Sequence, residues 1–482
     1  MEASVCKPPQ GTHAVVLRAI ARKTSTPSPG RAPNKTAWTS YNSIAFQASF
    51  AGPSRYRAAV TQTNGYQELQ GKIMSTRLLS PDTKRATLGV SPSAFTAQPL
   101  LTAIQGLAPS ITARAAEIEM SRRIPADVLE ALKSIGVFRM FVPRSYGGLE
   151  LDLPAGLEIL VELAKIDGSV GWNAMTSSNG SLFAPYLPQQ TYEVIYRRGP
   201  DVTFAGATQP TGTAEEVGAG ARQVSGRWPF VSGSQYADWI AGFCVVIANG
   251  KTLLGEAGRP QIQAAWLPAR DWRVEDTWRA AGLRGTGSHH VVLQNKMVPV
   301  SHFADLERGA PFLPGPLYAA LPQFLPLLHA ASALGMAEGI VGNLVDLAAD
   351  GRRQVQSPTS MRDSEVFQFE LGRVVADLRA ARAFLQAQSA NHWQHAVVGT
   401  LKGEALLAES TQAAIWTTTT CVRVADFCFA LAGGSAVYES SPLQRRLRDL
   451  HVAGQHARLQ QRHYVSVGRQ LLAQRDEVAA AA

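Results

Sequence analysis

The chain has 482 residues, 45% hydrophobic and 17% charged, which is apolar enough to bury several domain cores and excludes a wholly disordered chain. Of the net charge of +9, +7 lies in residues 1–73, where nine Lys/Arg face only Glu2 and Glu68; the remainder holds 37 basic against 35 acidic residues, so nucleic-acid binding loses its electrostatic basis. Cys6, Cys244, Cys421 and Cys428 show no CxxC spacing, which excludes a zinc finger or disulfide scaffold and points to a reducing, cytoplasmic compartment.

Residues 1–95 are rich in Ser, Thr, Pro, Gly and Ala and carry no sustained apolar period, as in KTSTPSPGRAPNKT (23–36). They read as a disordered extension: either an Arg- and Ser-rich transit peptide or chain upstream of a true start at Met74. From 96 to 201 helical patterning takes over. Pro125 opens a helix that Gly136 ends, with Val128, Leu129, Leu132 and Ile135 on one face, and a second helix is expected over about 154–167. Between them FVPRSYGGLEL (141–151) is dense in turn residues.

From 202 to 312 the period shortens. Runs such as VTFAGA, RQVSGRWPFVSG, WIAGFCVVIA, QIQAAWL and SHHVVLQNKMV alternate with turns and predict an antiparallel β-domain. The Pro-rich stretch 312–326 then leads into residues 313–475, where helices are expected near 324–350, 367–385, 400–432 and 442–472. Phe367, Leu371, Val374, Leu378, Ala381 and Leu385 step by 4 and 3, the seam of a four-helix bundle. Residues 476–482 read as a tail. No uninterrupted apolar run of 18 residues occurs, so no membrane span is expected.

Common site motifs are missing: no GxxxxGK[ST], GxSxG or HExxH occurs, and VGAGARQ (217–223) lacks the third glycine of a dinucleotide loop. His392 and His395 stand at i,i+3 without a carboxylate at ligand spacing and read as solvated, so no metal site is expected. Cys421 and Cys428 sit at i,i+7 in an apolar stretch and read as core.

Four segments, IPADVLEALKSIGVFRMFVPRSYGGLEL (124–151), VSGRWPFVSGSQYADW (224–239), GLRGTGSHHVVLQNKMVP (282–299) and LAGGSAVYESSPLQRRLRDLHVAGQH (431–456), together resemble the acyl-CoA dehydrogenase superfamily over about residues 97–475. The resemblance implies an α+β multidomain fold: an N-terminal helical domain, a central antiparallel β-domain and a C-terminal four-helix bundle. A dehydrogenase of this type needs a carboxylate base. Eight residues after Asp449 stands Ala457, preceded by His456, and the alternative base position in LYAALPQFLPLL also lacks an acid.

RWPFVSG and RDLHVAGQH are instead similar to the flavin-dependent monooxygenases of this fold, such as the oxygenase components of hydroxyphenylacetate hydroxylase, dibenzothiophene monooxygenase and the nitrososynthases. That branch implies reduced flavin (FMNH2 ahead of FAD) delivered by a separate NAD(P)H-dependent flavin reductase, reaction with O2 through a C4a-hydroperoxide, a small aromatic or heteroaromatic substrate, and a homotetramer. It places Ser232 near flavin N5 and His456 near C4a as the catalytic pair. An imidazole titrates near neutrality and suits proton transfer there.

It also offers Trp228, Phe230, Ser232 and Gly233 as walls of the isoalloxazine. Arg352 or Arg353 would reach a neighbouring subunit's flavin phosphate, and Gly433, Gly434 and Ser435 would form a turn that lets backbone N–H groups approach the cofactor. Ordinary explanations stand beside these: core aromatics at Trp228 and Phe230, a solvated pair at Arg352 and Arg353, and a plain interhelix turn at 433–435. RGTGSHH (284–290) is either a pocket border or a tight hairpin. After Trp172 the chain places Gly180 and Ser181 where some relatives hold a phenolate-binding histidine, which argues against a simple phenol hydroxylase. An acyl-CoA dehydrogenase with a displaced base and a non-catalytic flavin-binding protein remain the alternatives.

Overall fold

A computed structural model describes residues 97–481, except 219, 256–257, 307 and 320. The expectations for residues 1–95 lie outside the described residues. Six helices come first: α1 (Gln98–Ala113), α2 (Ala115–Ser121), α3 (Ala126–Ile135), α4 (Leu153–Ile166), α5 (Gly168–Phe183) and α6 (Gln189–Tyr196). α3 ends at Gly136, whose φ of +92° is a left-handed cap that favours glycine. α4 buries Leu157, Leu160, Val161 and Ala164.

The sheet comprises β1 (Phe204–Val217), β2 (Ala221–Val231), β3 (Trp239–Ala248), β4 (Lys251–Thr252), β5 (Ile262–Pro268), β6 (Arg273–Glu275), β7 (His289–Pro299) and β8 (Phe303–Ala304). Its order is β6-β7-β2-β1-β3-β5-β8, with β4 beside β3. The expectation of an all-antiparallel sheet needs one correction, because β1 and β3 pair in parallel. β2 folds back antiparallel along the outer side of β1, and the chain then crosses over to the other side. A core of its own, including Trp228, Trp272, Val224, Ile240, Val291 and Val298, fills one face of the sheet.

The C-terminal part is α7 (Leu321–Ala349), α8 (Glu365–Val397), α9 (Glu404–Ala432), α10 (Pro442–Ala453) and α11 (Tyr464–Ala481). The α8 seam is as the spacing predicts: Phe367, Val374, Leu378, Ala381 and Leu385 are buried. α11 occupies the stretch read as a tail. α7 and the segment Glu404–Val437 are long and apolar enough to cross a membrane by length and composition, but 94% of the apolar window of α7 is buried by the protein itself. Cys421 and Cys428 are buried in α9, where burial pushes both thiols up, Cys428 to about 12.

Two expectations change here. The single helix over 442–472 is two helices, α10 and α11, separated by residues 454–463 with two short 3-10 turns. His392 is buried rather than solvated, with Nδ1 2.8 Å from the Gln388 carbonyl and Nε2 2.8 Å from that of Leu406. The start of α9 packs over it, and 3.6-residue spacing alone does not reveal that cover.

α10 is tied to the rest by buried polar groups. Arg446 donates to Asn343 Oδ1 of α7 (2.7 Å) and to the Ile166 carbonyl (3.0 Å). Asp449 accepts from the Leu283 N–H in the β6–β7 connection. These anchors fix the break after α10 against α4, α7 and the β6–β7 connection.

Candidate active site

All three parts meet at a cavity of about 460 Å³. α5 supplies one wall because its sequence permits close approach. Asp167 caps it, accepting from the N–H groups of Ser169 and Val170 at 2.9 and 3.0 Å. At Gly171 a Cβ would stand 2.4 Å from the Ala164 Cα, and at Gly180 2.2 Å from the Phe204 Cβ. The helix therefore lies against α4 and β1 and carries Trp172, Asn179 and Phe183 into the lining. The second wall is β1, which loses register with β3 between Ala207 and Gly212; Thr208 and Gln209, in that gap, also line the cavity.

Ser232 arrives by a bulge. β2 loses register with β7 between Trp228 and Val231, and Phe230 takes a φ of +62°. The bulge separates residues that simple alternation places on one face. Trp228 points into the sheet core, fully buried, its Nε1 donating to the Phe243 carbonyl at 2.7 Å, and its ring centroid 5.1 Å from that of Trp272. It does not line the cavity, so the reading of Trp228 as an isoalloxazine wall is corrected. Phe230 is 64% exposed at the rim, its ring 6.2 Å from Trp278. Gly233 has a φ of +78° and donates its N–H to the Thr286 carbonyl at 2.9 Å, which fixes the turn beside Ser232.

The hydroxyl of Ser232 belongs to a directed chain. Thr286 Oγ1 lies 2.7 Å from the Leu283 carbonyl and must donate to it, since a carbonyl only accepts. Its oxygen then accepts from Ser288 (2.6 Å), and Ser288 accepts from Ser232 (2.7 Å). Trp172 Nε1 in turn donates to Ser232 at 3.2 Å. Every proton in the chain is committed, so Ser232 offers its remaining lone pair as an acceptor. The segment 284–290 thus borders the pocket through Thr286 and Ser288.

The break after α10 brings in His456. Its Nδ1 accepts from the Arg458 N–H (3.4 Å), which opens the turn Ala457–Leu459. Opposite stands His329 of α7, its Nδ1 2.7 Å from the Leu325 carbonyl and therefore carrying the proton. The two rings are 4.2 Å apart between centroids, tilted by 32°, and both meet the edge or face of Trp172 at 5.6 and 5.8 Å. Burial pulls His329 down to about 4, helped by the Arg458 charge. Burial, His329 and Arg458 hold His456 well below the usual imidazole range. Both rings are neutral at pH 7. His329 keeps a bare Nε2, while His456 carries its proton on Nε2.

His451, five residues before His456, faces away and contacts Asp426 Oδ1 at 2.8 Å. Arg352 and Arg353 are exposed between α7 and α8, and Gly433, Gly434 and Ser435 form the α9–α10 connection. Gln354 Nε2 donates to the Leu431 carbonyl at 2.8 Å and joins the two connections. Neither group lines the cavity of its own chain. Sequence reasoning missed His329, which directly follows LYAALPQFLPLL, the segment searched for an acid; it used Trp172 only as a counting mark and passed over Arg458.

Residues 102–190 match the family described as acyl-CoA dehydrogenase, N-terminal domain, and residues 327–461 its C-terminal domain. An indole-3-acetate monooxygenase of Pseudomonas putida is 33% identical over 72% of this chain and 86% of its own. The chain belongs to the flavin-dependent monooxygenases of the acyl-CoA dehydrogenase fold. The oxygenase subunit HsaA of Rhodococcus jostii (strain RHA1) is 28% identical over 73% of this chain and 93% of its own. The structure of XiaF from Streptomyces sp. in complex with FADH2 and glycerol superposes with a TM-score of 0.72 at 25% identity, covering 78% of this chain and 96% of that one.

A flavin fits these residues. The lining is aromatic and wide, Ser232 offers an acceptor, and the Asn179 Oδ1 in the lining is buried without a partner. No aspartate or glutamate lines the cavity among the described residues.

Proposed function

We propose that this chain is the oxygenase component of a two-component system. It takes reduced flavin, FMN ahead of FAD, from a separate NAD(P)H-dependent reductase, and with O2 it oxygenates a small aromatic or heteroaromatic substrate. The observation that carries this reading is the grouping of Ser232, Trp172, His329 and His456 around one cavity without a carboxylate. An acyl-CoA dehydrogenase requires a base for an acyl α-proton. At neutral pH this cavity offers two imidazoles and a hydroxyl instead.

Bound reduced flavin supplies the electrons that activate O2. The protein's part follows from its own groups. Ser232 accepts from a ligand N–H, and the hydroxyls behind it cannot turn to compete. His456 presents an N–H and His329 a bare nitrogen, so a proton can be given at one ring and taken at the other. Trp172, Phe183 and Phe204 exclude water, which protects reactive oxygen species from hydrolytic loss. The same apolar walls suit a planar substrate. Relatives such as indole-3-acetate monooxygenase and p-hydroxyphenylacetate 3-hydroxylase support that class.

A homotetramer completes the reading. Arg352, Arg353 and the turn at Gly433, Gly434 and Ser435 would serve the flavin of an adjacent subunit, a planar guanidinium being suited to phosphate. Buried unpaired thiols at Cys244, Cys421 and Cys428 suit a reducing cytoplasm.

The test couples the purified chain to a flavin reductase and follows oxygen uptake, product and hydrogen peroxide with indole. Oxygenated product formed at the expense of peroxide is expected. Peroxide alone across a panel of aromatic substrates, together with oxidation of acyl-CoA thioesters, would reverse the reading.

A further inference from the structure

Arg458 lines the cavity next to the two imidazoles, and its guanidinium has no carboxylate within 4.0 Å and no hydrogen-bond partner among the described residues. Three other arginines near the site have partners. Arg446 is bound to Asn343 and the Ile166 carbonyl, Arg448 to Glu119, and Arg122 to Asp276. Leu325, Val452 and Ala457 line the same cavity as Arg458, whose charge acts on both His329 and His456. With no acid in the lining, the cavity carries one uncompensated cation.

Arg458 is half-buried, and a partly desolvated cation facing a cavity without a counter-charge favours an anion. Burial already pulls Arg458 below the ordinary arginine range, with no carboxylate to offset it. We infer that Arg458 receives an acidic substituent of the substrate, a carboxylate set one or two bonds from a planar aromatic ring, and so selects arylacetate-type acids over their neutral analogues. The inference rests on the monooxygenase reading and deepens it.

The chemistry suits a monoanion. Guanidinium matches a carboxylate through two parallel hydrogen bonds, and the flanking aliphatic groups favour a weakly hydrated anion. The same anion has a second effect. Arg458 disfavours protonation of both His329 and His456. A carboxylate on Arg458 offsets that charge and so removes the smaller contribution, beside burial, to the low proton affinity of both rings. A phosphate of the flavin is the competing anion for Arg458, and the experiment separates the two.

The full-length chain, saturated with reduced FMN under anaerobic conditions, is titrated with indole-3-acetate and indole-3-acetamide, and with 4-hydroxyphenylacetate and its amide. The acid of at least one pair should bind roughly 10- to 100-fold more tightly than its amide, the range for a charge-assisted hydrogen bond in a desolvated site. Arg458→Gln should erase that preference, Arg458→Lys should keep part of it, and both should bind reduced FMN within about threefold of the wild type. Amides that bind as well as their acids would overturn the inference.

So would a loss in Arg458→Gln that falls on FMN binding and spares lumiflavin, which lacks the phosphate, since that assigns Arg458 to the cofactor. Efficient oxygenation of indole with no preference for acids would sink the inference and leave the monooxygenase reading standing. Tight, Arg458-dependent acid binding without any oxygenated product would do the reverse.

Discussion

The ring of His329 lies 4.2 Å from that of His456, centroid to centroid, although one side chain comes from the first long helix of the C-terminal part and the other from the break after α10. Trp172 closes the group from the N-terminal domain. The two imidazoles differ in which nitrogen is protonated, because each is held at Nδ1 by a different backbone group. A pair with one N–H and one bare nitrogen can relay a proton without either ring holding a net charge for long.

His456→Ala should therefore lower oxygenated product per NADH consumed, with the missing fraction appearing as hydrogen peroxide. Loss of a positioned acid/base group costs roughly 100- to 10,000-fold in the step it serves. Reduced-flavin affinity should change little, since Ser232 and the aromatic walls remain. His329→Phe keeps ring packing but loses the bare nitrogen, and should give an intermediate loss of coupling. Unchanged coupling in both variants would remove the proton-transfer role.

The acid limb of stability should carry the same signature. In the unfolded chain His329 takes a proton near pH 6.5, while in the folded chain it waits until about 4. Between these values unfolding takes up a proton, so the stabilising contribution is full above about pH 6.5 and is lost as pH falls toward 4. The difference amounts to roughly 3 kcal/mol at most for His329 alone, and His456 adds in the same direction. Urea midpoints measured at pH 7.5 and 5.0 should differ less in His329→Gln than in the wild type. Equal slopes would contradict the buried, neutral state of the ring.

Trp228 gives a prediction about packing rather than chemistry. Its ring is wedged where strands carry glycine: a Cβ at Gly242 would stand 2.7 Å from the Trp272 ring and 2.8 Å from the Trp228 ring. Gly242→Ala should overpack this core and cost roughly 1–3 kcal/mol. The melting temperature should drop by several degrees, while flavin binding by the folded fraction stays within a few-fold. A variant as stable as the wild type would show that the sheet core yields more readily than its contacts imply.

Much of this architecture is legible in the residues, and the exceptions share a cause. The α8 seam and the Gly136 cap are local signals, one a repeat of apolar positions and the other a backbone need for positive φ. α5 was not assigned from sequence, because GSVGWNAMTSSNGSLF is buried nearly all round and has no polar face to give it a period. The bulge at Phe230 is set by pairing with β7, some 60 residues away, so alternation puts Trp228 and Ser232 on one face, whereas Trp228 faces the sheet core and Ser232 the cavity. His456 and Ser232 are singled out only by resemblance to relatives. His329 and Arg458 escape it, since only the folded chain brings α7 and the break after α10 beside Trp172. The parallel β1–β3 pair escaped for a similar reason: short connections predict hairpins and say nothing about a crossover.

The last prediction uses the direction of the hydroxyl chain. Leu283 O, Thr286, Ser288 and Ser232 are linked at 2.7, 2.6 and 2.7 Å, and the carbonyl at the far end forces each hydroxyl to donate away from the cavity. Ser232 is therefore an acceptor, suited to the N–H that a reduced flavin carries at N5 and an oxidised flavin lacks. The wild type should bind reduced FMN more tightly than oxidised FMN, and Ser232→Ala should narrow that ratio by about 2- to 10-fold, the value of one hydrogen bond. Ser288→Ala should act in the same direction through Ser232. It frees the Ser232 proton to turn into the cavity, where it can serve the bare N5 of oxidised flavin. Equilibrium titrations with both redox forms, anaerobic for the reduced one, give the ratio directly. A Ser288→Ala variant whose ratio equals that of the wild type would mean that Ser232 is not oriented by its neighbours, and the directed chain would have no part in choosing the redox state that binds.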